Sequence, residues 1–189
     1  IRDRPSSFRR STSFCTMSDG PSFDAHMRRV ISFHEFARLR LTASKSAAEE
    51  LFFRGYLLQT IWTKSTSYLY AVICPSLIFG LLHFDSQSYG INAWYYCFNT
   101  FVVGCLLCLV TLHTGNIALA FGLHWGGNTV SLVFFGIHGN LDGMALWLTY
   151  LDPQSEAMGV ALIVSTIFII LIYSFWALYY FGSFLPTFG

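Results

Sequence analysis

Apolar residues gather into five stretches over the last three quarters of the chain, at 47–62, 68–84, 92–112, 117–137 and 158–182, with short polar breaks between them. About 20 apolar residues in a helix cross the hydrocarbon core of a bilayer. The pattern therefore predicts an all-α fold, a polytopic transmembrane helical bundle with four to five membrane helices. The count turns on 47–62, which is short for a span unless its helix continues upstream through Leu41 and Ala43. Pro75 predicts a kink in the second stretch, and the last stretch holds no charged residue. A polar loop, 138–157, separates the last two and carries Asp142, Asp152 and Glu156. Its Trp147 and Tyr150 suggest a segment resting on the membrane surface.

The upstream part reads differently. Residues 1–24 are rich in Ser, Arg, Pro and Asp without apolar periodicity, which predicts disorder. Over 25–48, Val30, Phe33, Phe36, Ala37 and Leu41 form one apolar face ringed by Arg28, Arg29, Arg38 and Arg40. That pattern suits a helix lying on a membrane or an ordinary packing helix. The chain thus divides into a basic, partly disordered and amphipathic segment, 1–46, and a helical core, 47–189.

Composition sharpens the membrane reading. The chain is 54% hydrophobic and only 11% charged, where soluble domains carry roughly 25% charged residues. Nine of the 11 Lys and Arg precede Leu51, and only Arg54 and Lys64 follow it. This bias places the amino-terminal side in the cytoplasm. No nucleic-acid motif accompanies the basic stretch, so no nucleic-acid partner is expected. Trp62, Tyr68, Tyr70, Trp94, Tyr95, Tyr96, Tyr179 and Tyr180 crowd the ends of the apolar stretches, as interfacial belts do. The five cysteines suggest no disulfide framework. Cys105 and Cys108, spaced for redox or zinc chemistry, read as small hydrophobes inside a membrane helix.

Against this background a few ionisable residues stand out, because such groups are costly in a bilayer unless paired or facing a cavity. Glu50 and Arg54 are four apart and can pair on one helix face. Glu49 points about 100° away and is left as a candidate general base. His83 follows Phe79 by four residues at the end of its stretch. His124 and Asn128 share a helix face inside an apolar run, where Gly122, Gly126 and Gly127 could let another backbone come close. Such a set could activate a water, attack a peptide carbonyl and stabilise the oxyanion. Zn²⁺ held by His83, His124 and Glu49 with an open position is chemically plausible. One tension is depth: His83 lies near a helix end, whereas His124 is about 10 Å into its own helix. Tilt, a kink at Pro75 or a break at Gly126-Gly127 could reconcile them. His26, His34, His113 and His138 fit no motif and read as surface residues, and Asp85 reads as a cap on the next turn rather than an orienting partner of His83.

In order, Glu49-Glu50-Leu51-Phe52-Phe53-Arg54, Phe79-Gly80-Leu81-Leu82-His83 and His124-Trp125-Gly126-Gly127-Asn128, with the Thr114-Gly115-Asn116 lead-in, resemble the CPBP family of intramembrane proteases. That family includes the CAAX prenyl endopeptidases and the bacteriocin-processing and immunity proteins of the Abi group. The resemblance implies Glu49 as water-activating base, His83 as its assistant, His124 and Asn128 at the oxyanion, and Glu50 and Arg54 shaping the site. It implies a peptide or lipidated protein substrate, contact with membrane lipid, and a metal, zinc, as the family's usual name suggests. An integral membrane protein, of a bacterial plasma membrane, is the expected setting. A non-catalytic scaffold or immunity protein of the same fold is the alternative. A small transporter fits less well, since the helices show no internal repeat.

Overall fold

The computed structural model describes residues 33–65, 67–137, 147–149 and 151–181. The disorder expected for 1–24, the start of the amphipathic helix before Phe33, and half of the 138–157 loop, including Asp142 and Tyr150, lie outside the described residues.

Helix α1, Phe33–Glu50, runs without a break into a π-helical stretch, Leu51–Leu57, and on into α2, Leu58–Lys64. The wider turn is visible in the backbone, where the Leu58 N–H reaches the Phe53 carbonyl five residues back. Ser65 then turns extended and ends the helix. Next come α3, Tyr68–Leu81, a single turn α4, Ser86–Tyr89, and a short 3₁₀ turn, Gly90–Asn92. They lead into α5, Ala93–Thr114, which Gly115 terminates in the left-handed conformation (φ 70°). Helix α6 spans Ala118–Phe134 and α7 spans Glu156–Phe181.

Between α6 and α7 lies an element the apolar pattern did not predict. Phe135–Ile137 (β1) and Trp147–Thr149 (β2) pair in parallel, with Phe135 opposite Trp147. The stretch read as one span, 117–137, is therefore a 17-residue helix followed by three extended residues. Periodicity could not separate them, because Phe135 and Ile137 continue the apolar run.

Among the described residues, two helical stretches are long and apolar enough to cross a membrane, Ser86–Thr114 and Glu156–Tyr179. The helical bundle expected from the sequence is present, and of the four to five membrane helices expected, these two meet the length and hydropathy of a span. Helix α3 is apolar but only 14 residues long, about 21 Å at 1.5 Å per residue. It stops because the backbone tightens after Leu81, with His83 N–H bonded to the Gly80 carbonyl and Phe84 N–H to Leu81. The 47–62 stretch belongs to the long helix described from Phe33 onward, and its buried positions include Glu50 and Arg54 rather than apolar residues alone.

The centre of the molecule is the α3–α5 pair, which packs closely because two glycines let it. A Cβ at Gly80 would lie 2.8 Å from the Phe101 Cβ, and one at Gly104 would lie 3.1 Å from the Ser76 backbone. Small residues at such crossings let membrane helices approach. The glycines that the sequence offered for this role, Gly122, Gly126 and Gly127, meet no described atom within 4 Å of a built Cβ. Leu58, Ala71, Val72 and Cys108 fill one side of the α3–α5 pair. Leu107, Val110 and Ala120 join α5 to α6, with Tyr173 and Trp176 of α7 against them. Cys108 does pack as a hydrophobe, and Cys74, Cys97, Cys105 and Cys108 are all free thiols.

Helix α7 buries little of its surface and presents Val160, Ile163, Ile167, Phe168, Leu171, Phe175 and Leu178 outward, as a lipid-facing helix does. Its polar ties are few. Asn99 of α5 donates to Thr166 Oγ1 at 2.7 Å. Buried Asn92 donates to the carbonyls of Pro153 and Ser155, clamping the start of α7 beside the start of α5.

Candidate active site

The polar cluster begins with the position of Glu50 on the last turn of α1. Its side chain points into the protein and is fully buried, as is that of Arg54 one turn on. Arg54 Nη1 donates to Glu50 Oε1 at 2.9 Å, and Nη2 donates to the Gly104 carbonyl of α5 at 3.2 Å. The guanidinium also lies over the Phe79 ring, 4.8 Å from its centroid, a favourable cation–π position. A charge this deeply buried is tolerable only because it is paired and hydrogen-bonded. Even so, Glu50 Oε2 and Arg54 Nε have no hydrogen-bond partner among the described residues.

The same Glu50 oxygen meets His124 Nδ1 at 2.7 Å. A carboxylate only accepts, so Nδ1 carries the hydrogen and Nε2 is turned to the other side of the ring. There it faces Glu49 Oε2 at 3.5 Å. His124 thus bridges the two adjacent glutamates. Their surroundings differ: Glu50 is sealed, whereas the Glu49 side chain is 20% exposed and its other oxygen lies 3.7 Å from Lys45 Nζ. The pairing of Glu50 with Arg54 is as the spacing predicted, while Glu49 is less isolated than expected, with Lys45 and His124 both near.

Asn128, one turn beyond His124 on α6, donates to Ser46 Oγ at 3.1 Å. Ser46 is fully buried, one turn before Glu50 on α1. The α1–α6 contact therefore presents two polar rungs, Glu50 to His124 and Ser46 to Asn128. A serine in an amphipathic segment carried no signal of its own. Its four-residue spacing from Glu50 was the available clue.

His83 comes to the same neighbourhood from α3. Its Nδ1 lies 2.8 Å from the Phe79 carbonyl. A carbonyl accepts, so Nδ1 donates and Nε2 is left for another partner. His83 forms no polar contact with Glu49 or His124 among the described residues; aromatic packing connects them. The Phe79 ring lies 4.6 Å from the His83 ring and 5.8 Å from that of His124, edge-on to the latter. Phe53 closes the other side of Phe79 at 5.1 Å. Helix α6 runs unbroken through Gly126-Gly127, so the break considered there is absent.

Asp85 does not touch His83. Its Oδ1 accepts from the backbone N–H groups of Gln87 and Ser88, capping α4, and these bonds with Ser88 hold its carboxyl below the ordinary carboxylate range. This is the capping role expected for it. His113 is at the exposed end of α5, with Nδ1 bonded to the Leu109 carbonyl; His26 and His138 lie outside the described residues.

The proposed metal ligands His83, His124 and Glu49 share this region, but among the described residues no three His, Cys, Asp or Glu side chains are grouped to hold a metal ion. His124 Nδ1 is already committed to Glu50 and His83 Nδ1 to a carbonyl, which leaves the two Nε2 atoms and Glu49 as the available donors.

These features define a helical membrane protein with a carboxylate–arginine–histidine cluster buried where four helical segments meet. The sequence profile of the Rce1-like type II CAAX prenyl endopeptidases matches residues 36–130, half of the chain, and the chain belongs to this family. The matched region contains every residue of the cluster. The chain is also similar to the uncharacterized protein YyaK of Bacillus subtilis (strain 168), 28% identical over 125 residues. That alignment covers 64% of this chain and 42% of YyaK, so the chain spans less than half of this relative's length. No solved structure matches.

Proposed function

We propose that the chain carries the catalytic core of an intramembrane endopeptidase that hydrolyses a peptide bond in a membrane-associated or lipidated peptide. Family membership supports a peptidase of the CAAX type. The observation that carries the finer reading is the bridge at His124, one nitrogen fixed by sealed Glu50 and the other facing part-exposed Glu49.

Glu49 is the general base. It takes a proton from a water as the water oxygen attacks the scissile carbonyl carbon. It then returns that proton to the leaving amine as the C–N bond breaks. His83 offers Nε2 to the same water. His124 and the Asn128 amide lie along α6 as donors for the tetrahedral oxyanion. As imidazolium, His124 donates from Nδ1 to Glu50 and from Nε2 into the site at the same time. Glu50 and Arg54 hold the imidazole in place and do not meet substrate. No step is routed through a metal ion. Glu49 and the two Nε2 atoms are not grouped to hold a metal ion among the described residues, and His124 as imidazolium has no lone pair to offer one.

The test compares purified, detergent-solubilised protein with its Glu49→Gln variant on a panel of lipidated and leader-like peptides, with and without a chelator. Cleavage by the parent alone supports the reading and identifies the substrate class. Cleavage by neither, with both proteins folded, overturns it in favour of a non-catalytic role.

A further inference from the structure

Three aromatic residues open α5, Trp94, Tyr95 and Tyr96, and the sequence groups all three in an interfacial belt. The structure separates them. Trp94 and Tyr95 are exposed, while Tyr96 turns inward. Its ring stands edge-on to the His83 imidazole, 6.2 Å between centroids and 72° between planes. On its other side it stacks on Tyr89 of α4, 4.7 Å away and nearly parallel at 13°. His83 is thereby held between Phe79 and Tyr96, and the plane of Tyr96 is fixed by Tyr89. The turn that presents Tyr89 is fixed in its own right by the Asp85 cap.

The Tyr96 ring, set against His83, belongs to the same side of the site as that histidine. Among the described residues this hydroxyl donates to no partner, although a tyrosine packed among side chains usually finds one. An uncommitted phenolic donor thus stands on the Glu49–His83 side of the site. The other donors, on His124 and Asn128, come from α6.

We propose that Tyr96 donates its phenolic hydrogen to the carbonyl of the bound peptide and strengthens that bond as the oxygen becomes an oxyanion. This rests on the endopeptidase reading above. The proton stays on the phenol throughout; only the hydrogen bond shortens as negative charge develops. Tyr96 is then a catalytic residue on a fourth helix, outside the three motifs.

The experiment measures kcat and KM on a fluorogenic peptide bearing a farnesylated cysteine, using the full chain in lipid nanodiscs. The proteins are the parent, Glu49→Gln, Tyr96→Phe, Tyr96→Leu and, as a surface control, Tyr95→Phe. The expected result is that Tyr96→Phe lowers kcat and kcat/KM equally, by about tenfold or more, the signature of a bond made in the transition state. Its melting temperature and KM should stay at the parent values, and Tyr95→Phe should behave as the parent. Parent-like kinetics for Tyr96→Phe beside an inactive Glu49→Gln would overturn the donor role while leaving the endopeptidase reading intact. Loss only in Tyr96→Leu would also overturn it, reducing Tyr96 to a buttress for His83. A parent no more active than Glu49→Gln would bring down the endopeptidase reading and this inference with it.

Discussion

The two sides of His124 are built on opposite plans. On the Glu50 side, a carboxylate and a guanidinium are sealed, the arginine is clamped by the Gly104 carbonyl, and an aromatic ring covers it. On the Glu49 side, the carboxylate is partly exposed with longer-range partners, while among the described residues His83 and Tyr96 each keep a polar atom unused. On the mechanism proposed above, adjacent residues of the same type divide into a structural role and a chemical one. One helical step of about 100° decides which is which. The closed side keeps the imidazole from turning; on the proposed mechanism, the part-exposed side is where water and peptide would meet Glu49.

The largest break in this contrast should come from Arg54→Met. It leaves Glu50 buried without its cation, which costs about 3–5 kcal/mol. The expected outcome is a steep drop in thermal stability in detergent, or loss of folded protein. The double variant Glu50→Gln/Arg54→Met should recover much of that loss, because the uncompensated charge is gone. Equal stability of the single and double variants would show that the pair is not sealed as described.

Glu49→Gln should do the reverse. Stability should change by less than about 0.5 kcal/mol, as for a surface substitution, while peptide cleavage falls by about 100-fold or more. A Glu49→Gln protein as unstable as Arg54→Met would erase the distinction between the two glutamates.

These two residues were legible from sequence because ionisable side chains in apolar stretches demand an explanation and the four-residue spacing of Glu50 and Arg54 supplies one. His124 and Asn128 were legible for the same reason. What could not be read was which neutral residues complete the site. Ser46, Phe79 as the ring between both histidines, and Tyr96 belong to residue types that are common in membrane helices, and their roles depend on how α1, α3 and α5 are rotated. That rotation follows from close approach at Gly80 and Gly104 and from the widened turn at Leu51–Leu57. Hydropathy carries no trace of either. The same blindness applies to span count, since an apolar run reports burial in lipid or protein without telling where a helix stops. Leu82 and His83 are as compatible with a continuing helix as with the turn they form.

A smaller effect tests the hinge between the two sides, where Asn128 meets Ser46. Ser46→Ala removes the hydroxyl that receives the Asn128 amide and should cost about 1 kcal/mol of stability. Cleavage should fall only modestly, since His124 keeps its Glu50 bond. A loss of cleavage as large as that of Glu49→Gln would move Ser46 from the closed side to the chemical one.

The smallest effect concerns how the open side is held. The Asp85 carboxyl is kept below the ordinary carboxylate range by its bonds with Ser88 and, less strongly, Gln87. A group depressed in this way prefers its ionised form in the folded protein. Its cap on α4 is therefore at full strength above the ordinary carboxylate range and is lost as pH falls through the lower folded value. Hydrogen exchange at the Gln87 and Ser88 amides, corrected for the intrinsic pH dependence, should show protection that holds through the mildly acidic range and then declines. Asp85→Asn, whose amide oxygen can still cap, should keep some protection but lose its pH dependence, and Asp85→Ala should lose protection at every pH. Since the α4 turn carries Tyr89 to its stack on Tyr96, the decline should be accompanied by greater ring mobility at Tyr96 and no change at Arg54. A pH response at Arg54 of the same size would mean that the open and closed sides of His124 are not independent.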